Sequence, residues 1–244
     1  MVSKYTDKII CGDCLEVMHT IPDKSIDMVL ADLPYGVTAC KWDIPIDLDA
    51  LWVNWLRICK GAIVLTSTQP FTSRLVMSQP ALFRHEWIWV KNVAGGYANA
   101  KRMPLRNNEH ISVFAKAGYT YNPQPKRLTD AGMQRYKYGI NRTNSVVYGG
   151  KKRVTPPQDI KYGYPKAVIK FNLENNRQHP TQKPVALFEY LIRTYTNEGE
   201  TVLDPTAGSG TTAVACHKSN RHYICIEKEP EYCAIAEKRT KEML

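Results

Sequence analysis

Four short apolar runs in this chain each end in an acid. Ile9-Ile10-Cys11 leads into Gly12-Asp13, Met28-Val29-Leu30-Ala31 into Asp32, Thr201-Val202-Leu203 into Asp204, and His222 to Ile226 into Glu227. Runs of this length and composition read as buried strands. Between them lie segments with helical spacing, and this alternation argues an α/β fold with a doubly wound, mostly parallel sheet covered on both faces. In such a sheet ligands bind outside the carboxyl ends of the strands. All four acids are therefore expected at one cleft.

The strand that delivers Asp32 continues as Leu33-Pro34-Tyr35-Gly36. Pro34 fixes its own φ and pushes Leu33 toward extended geometry, and Gly36 lets the chain turn away. One carboxylate, the Leu33 carbonyl and the Tyr35 ring would then share a small space. Lys41-Trp42-Asp43 is expected in the loop beyond, where Trp42 could line a pocket. Further on, Leu48, Leu51, Trp52, Trp55, Leu56 and Cys59 make one helical stripe, with Pro45 suited to its first turn and Gly61 to its stop. His85 to Val90 and His110 to Ala115 read as strands flanking a Gly-rich, basic loop over residues 92–108, which contains Lys101, Arg102 and Arg106.

The chain has 244 residues and a formal net charge of +10. Residues 116–183 carry fourteen Lys or Arg against three acids, and seven of the fourteen tyrosines. Basic side chains interleaved with aromatics suit a phosphate backbone and unstacked bases. Prolines and glycines break up any long element between 118 and 178, so that segment reads as an inserted recognition lobe. It divides the chain into a first half, 1–117, the lobe, 118–178, and a second half, 179–244. Lys126, Arg127, Arg135, Lys151, Lys152 and Arg153 join the three loop cations as candidate nucleic-acid contacts. No apolar run is long enough to span a bilayer and the N-terminus has no signal-peptide core, so no membrane association and a cytoplasmic location are expected. Seven cysteines, several in apolar segments, suggest reduced core thiols, and Cys11-Gly12-Asp13-Cys14 lacks the second pair a zinc site would want, so no metal is expected.

Asp204-Pro205-Thr206-Ala207-Gly208-Ser209-Gly210-Thr211-Thr212 is a strand end, a small-residue turn and a helix start, which lets the backbone pass close to a ligand. Glu227 ends the next strand, the position from which a carboxylate binds a ribose diol. No Gly-Lys-Ser/Thr follows, so a triphosphate cradle is not expected.

Asp204 to Thr212 resembles the S-adenosylmethionine-binding motif of amino-methylating DNA methyltransferases, and Asp32 to Tyr35 resembles their catalytic D-P-P-Y motif. His179-Pro180-Thr181-Gln182-Lys183-Pro184 is similar to the box that precedes the cofactor motif in that family. Catalytic motif, basic lobe and cofactor motif follow in the circularly permuted order of the β class. Leu33 stands where the family usually has proline, but the backbone carbonyl used there is retained.

The resemblance implies a Rossmann-like methyltransferase fold and methyl transfer to the N6 amine of an adenine flipped out of double-stranded DNA. Asp32 and the Leu33 carbonyl would accept the amine, Pro34 would shape the loop, and Tyr35 would stack on the base. Asp13 would bind the cofactor's adenine amine and Glu227 its ribose. The turn with Asp204, Thr206, Gly208, Gly210 and Thr211 would pass near its methionine and ribose portions, and Thr181, Gln182 and Lys183 near its methionine end, with Lys183 facing the carboxylate. A prokaryotic or phage source, a homodimer and a cognate restriction endonuclease are the further context the family suggests. Cytosine-N4 transfer is the alternative, although those enzymes more often carry Ser at the position of Asp32. C5 methylation needs a cysteine nucleophile, and no Pro-Cys motif occurs. A nicotinamide-dependent oxidoreductase would leave Asp32 to Tyr35 and the basic lobe unexplained. A non-catalytic DNA-binding module would need neither motif.

Overall fold

A computed structural model describes residues 4–36, 46–138, 161–174 and 182–242, with the side chains of 135–138 set aside. The described chain separates into two compact units, residues 1–122 with 167–244, and residues 123–166.

The larger unit is built on an eight-stranded sheet. In chain order its strands are β1 (Lys8–Cys11), β2 (Ile26–Asp32), β3 (Cys59–Ser67), β4 (Phe83–Gly95), β5 (Arg106–Phe114), β8 (Val168–Lys170), β9 (Thr201–Asp204) and β10 (His222–Glu227). They lie in the order β1-β10-β9-β2-β3-β5-β4-β8. The first five are mutually parallel, and β5 runs antiparallel to both β3 and β4. The sheet is therefore mostly parallel, as expected.

The central strands are apolar throughout because both faces are covered. Met28 and Leu30 of β2 enter one cluster with Val202, Phe188 and Leu191, while Val29 and Ala31 enter the other with Leu51, Trp52, Trp55 and Leu203. Helices α5 (Val185–Tyr195) and α6 (Thr211–Lys218) bury their stripes in the first cluster, and α1 (Cys14–His19), α2 (Leu48–Ile58) and α3 (Phe71–Ser78) serve the second. Trp52 and Trp55 are buried on α2, each worth on the order of 2–3 kcal/mol by area removed from water. A last helix, α7 (Pro230–Lys241), begins with Pro230 in its first turn.

Two local expectations are corrected. Gly61 does not stop α2. The helix ends at Ile58 and β3 starts at once with Cys59. Gly61 lies inside that strand because a Cβ there would sit 1.9 Å from the Asp27 carbonyl oxygen, beside a register shift between Ile26 and Met28. Nor is 92–108 simply a loop. β4 and β5 pair from Ile88–His110 to Val90–Asn108 and again, after a register shift, at Gly95–Arg106, so only residues 96–105 lie between the strands, with a 3-10 turn at Tyr97–Asn99.

The smaller unit holds a short antiparallel ladder, β6 (Lys126–Arg127) with β7 (Tyr162–Gly163), and helix α4 (Asp130–Tyr138). Leu128 packs so closely that a Cβ on Gly163 would come within 2.7 Å of its Cδ2. Residues 118–122 and 167–174, read within the lobe from sequence, group with the sheet unit. Phe171 and Leu173 pack against its core.

Candidate active site

The strand order places the carboxyl ends of β1, β10, β9 and β2 side by side, and so brings Asp13, Glu227, Asp204 and Asp32 to one edge. Antiparallel β5 enters the sheet at this same edge, with His110 opposite Ser67. Glu109, one residue earlier, is buried beside Asp32's neighbourhood and was not anticipated.

Asp32 is held by three side chains. Tyr35 Oη donates to Oδ1 at 2.6 Å, the Thr66 hydroxyl also donates to Oδ1, and Lys183 Nζ donates to Oδ2 at 2.5 Å. Thr66 ends up here because its position on β3 is directly opposite Asp32. The Tyr35 ring lies against Phe71 with centroids 5.1 Å apart. Burial, then the charges of Asp32 and Glu109, pushes the phenol well above its usual range, so it remains a donor. The Leu33 side chain is buried in the second cluster, anchoring the loop by its apolar body.

Lys183 was expected at the cofactor's carboxylate. The structure places its ammonium on Asp32, with Glu109 Oε2 at 3.4 Å and Lys91 on the other Glu109 oxygen. Burial works to lower the Lys183 pKa, but the charges of Asp32 and Glu109 outweigh it and the net shift is upward. A buried ammonium needs such partners.

The turn after β9 is braced from within. Asp204 is buried, accepts the Thr206 N–H at 3.0 Å on Oδ1 and the Thr212 hydroxyl on Oδ2. Desolvation pushes its carboxyl up to about 7 despite those two donors, and the Asp32 and Glu227 charges add to the rise. Asp204 thus shapes the turn, with both oxygens already engaged. Thr206 Oγ1 donates to the Asp32 carbonyl at 3.1 Å, and Thr211 Oγ1 to the Lys183 carbonyl at 3.4 Å. Ser209 Oγ donates to Gln182 Oε1 at 3.1 Å. Thr206 and Thr211, both expected at a ligand, together with Ser209 thereby tie the turn to the strand that carries Asp32 and to the 182–184 strap.

Gly210 has φ 77° and caps α6, where a Cβ would press on Ala236 at 2.8 Å. Gly208 has φ 52° and a Cβ there would meet no described atom within 4 Å, so the turn borders open space. Its N–H donates to Glu227 Oε2 at 2.8 Å, and the Glu229 N–H to Oε1 at 2.9 Å. Asp13 Oδ1 caps α1 through the Leu15 N–H at 2.9 Å, while Oδ2 lies 3.7 Å from the Lys228 ammonium. A close-approach turn flanked by carboxylates fits a cofactor with a sugar diol and a positive charge. The six described cysteines are free thiols, five of them buried.

Lys101, Arg102 and Arg106 are exposed on the β4–β5 arm, with exposed Tyr97 and Met103 beside them. Lys126 and Arg127 are exposed on β6. Arg135 lies in α4, and Thr181, Lys151, Lys152, Arg153, Trp42 and His179 lie outside the described residues.

The pattern of the family described as DNA methylase matches residues 26–238. Among curated proteins, the chain is 27% identical to the type II methyltransferase M.HinfI of Haemophilus influenzae, over 99% of this chain and 70% of the relative. It is 29% identical to the DNA adenine methyltransferase YhdJ of Escherichia coli, over 95% and 81%. Two solved structures share the fold. The M1.HpyAVI–SAM complex superposes with a TM-score of 0.64 at 24% identity, covering 95% of this chain and 98% of that one. The cytosine-N4-specific PvuII DNA methyltransferase gives 0.61 at 16% identity, covering 96% and 90%. The matched span takes in the Asp32 loop, the strap and the 204–212 turn alike, and this chain belongs to the DNA methylase family.

Proposed function

We propose that this enzyme transfers a methyl group from S-adenosylmethionine to the N6 amine of adenine in double-stranded DNA. The observation that carries the reading is the state of Asp32: a carboxylate fixed by three donors, at a strand end whose carbonyl is tied by Thr206 to the cofactor turn.

An exocyclic amine is a weak nucleophile because its lone pair is delocalised into the ring. Acceptors for both of its N–H groups hold the amine and favour pyramidal geometry with the lone pair turned toward the methyl donor. Asp32 and the Leu33 carbonyl are those acceptors, with Pro34 setting the loop and Tyr35 the aromatic on which the flipped base stacks. When bound, S-adenosylmethionine supplies an activated methyl on a sulfonium. What the protein adds is position and fixed charge. Glu227 holds the ribose hydroxyls and Asp13 the adenine amine. Gly208 and Gly210 let the turn approach, Asp204, Thr206 and Thr211 brace it, and Gln182 holds it through Ser209, with Thr181 adjoining.

An aspartate at position 32 supports adenine, as does the relative named as a DNA adenine methyltransferase. Cytosine N4 is the second reading, favoured by the shared fold of the PvuII enzyme. The cations of the arm and of residues 126–153 serve the phosphates. Type II relatives support a cognate restriction endonuclease, bacterial relatives support a cytoplasmic setting, and a homodimer is the remaining proposed partner. The test is incubation with labelled S-adenosylmethionine and unmethylated duplex DNA, then digestion to nucleosides and mass identification. N6-methyladenine is expected, N4-methylcytosine would replace it with the second reading, and absence of any transfer to DNA would overturn both. Asp32→Ala should lower transfer by about a hundredfold or more and leave cofactor binding nearly intact; equal loss of both would mean a structural role.

A further inference from the structure

We propose that Lys183 is a positioning residue for the transfer, fixing the amine-accepting oxygen of Asp32, with Glu109 as its brace. This rests on Asp32 being the amine acceptor.

Counting lone pairs leads there. A carboxylate oxygen has two acceptor sites. Oδ1 of Asp32 already takes two hydroxyls, from Tyr35 and Thr66, and is full. Among the described residues Oδ2 takes one donor, the Lys183 ammonium at 2.5 Å, and has one site left. The incoming amine must therefore share Oδ2 with Lys183. The same ammonium that occupies one site sets the direction in which the other points.

The ammonium is held from behind. It is 7% exposed and lies between Asp32 and Glu109, whose Oε2 has no hydrogen bond among the described residues and faces Lys183 at 3.4 Å. Lys91 neutralises the second Glu109 oxygen, so the row Asp32, Lys183, Glu109, Lys91 alternates in sign and balances. The Lys183 backbone is fixed as well. Its carbonyl accepts from Thr211 at the start of α6, and buried Pro184 follows as the cap of α5. The strap thus transmits the position of the cofactor turn to the oxygen that receives the base. A lysine reaching instead for the cofactor's carboxylate would leave Glu109 and Asp32 without their shared counter-charge in the interior, which is costly.

The two roles separate in a binding and kinetic comparison of Lys183→Met, Lys183→Ala and Glu109→Gln with the unsubstituted enzyme. Calorimetry of S-adenosylmethionine binding is expected to give dissociation constants within about threefold of one another, while single-turnover methyl transfer falls about a hundredfold in Lys183→Met and about tenfold in Glu109→Gln, as for loss of other preorganised polar contacts. In Lys183→Ala, added ethylammonium should restore part of the rate by refilling the site, and tetramethylammonium at equal ionic strength should not. A tenfold or larger loss of cofactor affinity in Lys183→Met with unchanged transfer rate would overturn the proposal in favour of a cofactor clamp. If Lys183→Met lacks the native circular dichroism spectrum, Glu109→Gln decides: a lower rate at unchanged affinity supports the proposal, and an unchanged rate overturns it. No transfer by the unsubstituted enzyme would overturn the functional reading itself, whereas transfer by it together with either contrary result would overturn only the role of Lys183.

Discussion

Asp204→Asn should change how stability depends on pH far more than it changes the fold. The carboxyl is buried, and its pKa rises from the ordinary 3.8 to about 7 because burial penalises the charged form. A folded-state pKa above the unfolded value means that the native protein binds the extra proton between these limits. The stabilising contribution is therefore fully present below about pH 3.8 and is lost as pH rises through about 7. At 1.36 kcal/mol per unit the interval is worth about 4 kcal/mol. Asparagine copies the protonated acid, with an oxygen for the Thr206 N–H and an amide N–H for the Thr212 hydroxyl. It does not titrate. Urea unfolding of both proteins from pH 4 to pH 8 should show near-equal stability at the acid end. The variant should then gain about 1.4 kcal/mol per pH unit until the difference levels off near pH 7. Contributions of carboxylates that do not interact with Asp204 cancel in the difference, and Asp32 and Glu227, whose charges reach it, add only a smaller correction. Parallel curves would refute the claim that burial dominates at Asp204. Cofactor affinity near neutral pH should stay within about threefold, because Asp204 is buried at 3% exposure and both its donors come from within the turn, and a loss of tenfold or more would mean direct contact with the ligand.

The two glycines of the same turn should respond in opposite ways. Gly210→Ala forces a side chain to φ 77° and onto Ala236, and should cost about 2–5 kcal/mol in chemical unfolding. Gly208→Ala has room, so it should cost only about 1–2 kcal/mol yet weaken cofactor binding measured by calorimetry, since the new methyl projects into the open space beside the turn. On the arm, replacing Lys101, Arg102 and Arg106 with alanine should lower the slope of log affinity for duplex DNA against log salt by about 0.9 for each phosphate left without its cation. An unchanged slope would remove the arm from the DNA-binding surface.

What the sequence disclosed depended on whether a residue's partner was local. The convergence of Asp13, Asp32, Asp204 and Glu227 was legible because each acid ends its own apolar run and a parallel sheet aligns those ends. The α2 stripe of Leu48, Leu51, Trp52 and Trp55 was legible for the same reason, since 3.6-residue spacing is a property of one segment. Gly61 was misread because its requirement comes from Asp27 on a neighbouring strand. The arm was misread because its glycines and cations look like loop chemistry, while the pairing that extends β4 and β5 lies between segments. Glu109 and Thr66 gave no signal at all: one follows the asparagines of the arm and the other closes an apolar strand, and only register brings them to Asp32. Lys183 was singled out in the strap, but its contact with Asp32 was not anticipated, because an ion pair spanning 151 positions has no trace in spacing.

Glu227 is held by two backbone N–H groups, one on each oxygen, which leaves one acceptor site per oxygen among the described residues. With the ribose placed there as proposed, a vicinal diol would fill both sites, whereas a 2′-deoxy sugar would leave one acceptor of the half-buried carboxylate unsatisfied. The polymer that such an enzyme modifies contains only deoxyribose. With that placement, the hydrogen bonds that fasten the turn to Glu227 would also keep the nucleosides of the substrate from competing for the seat of the methyl donor.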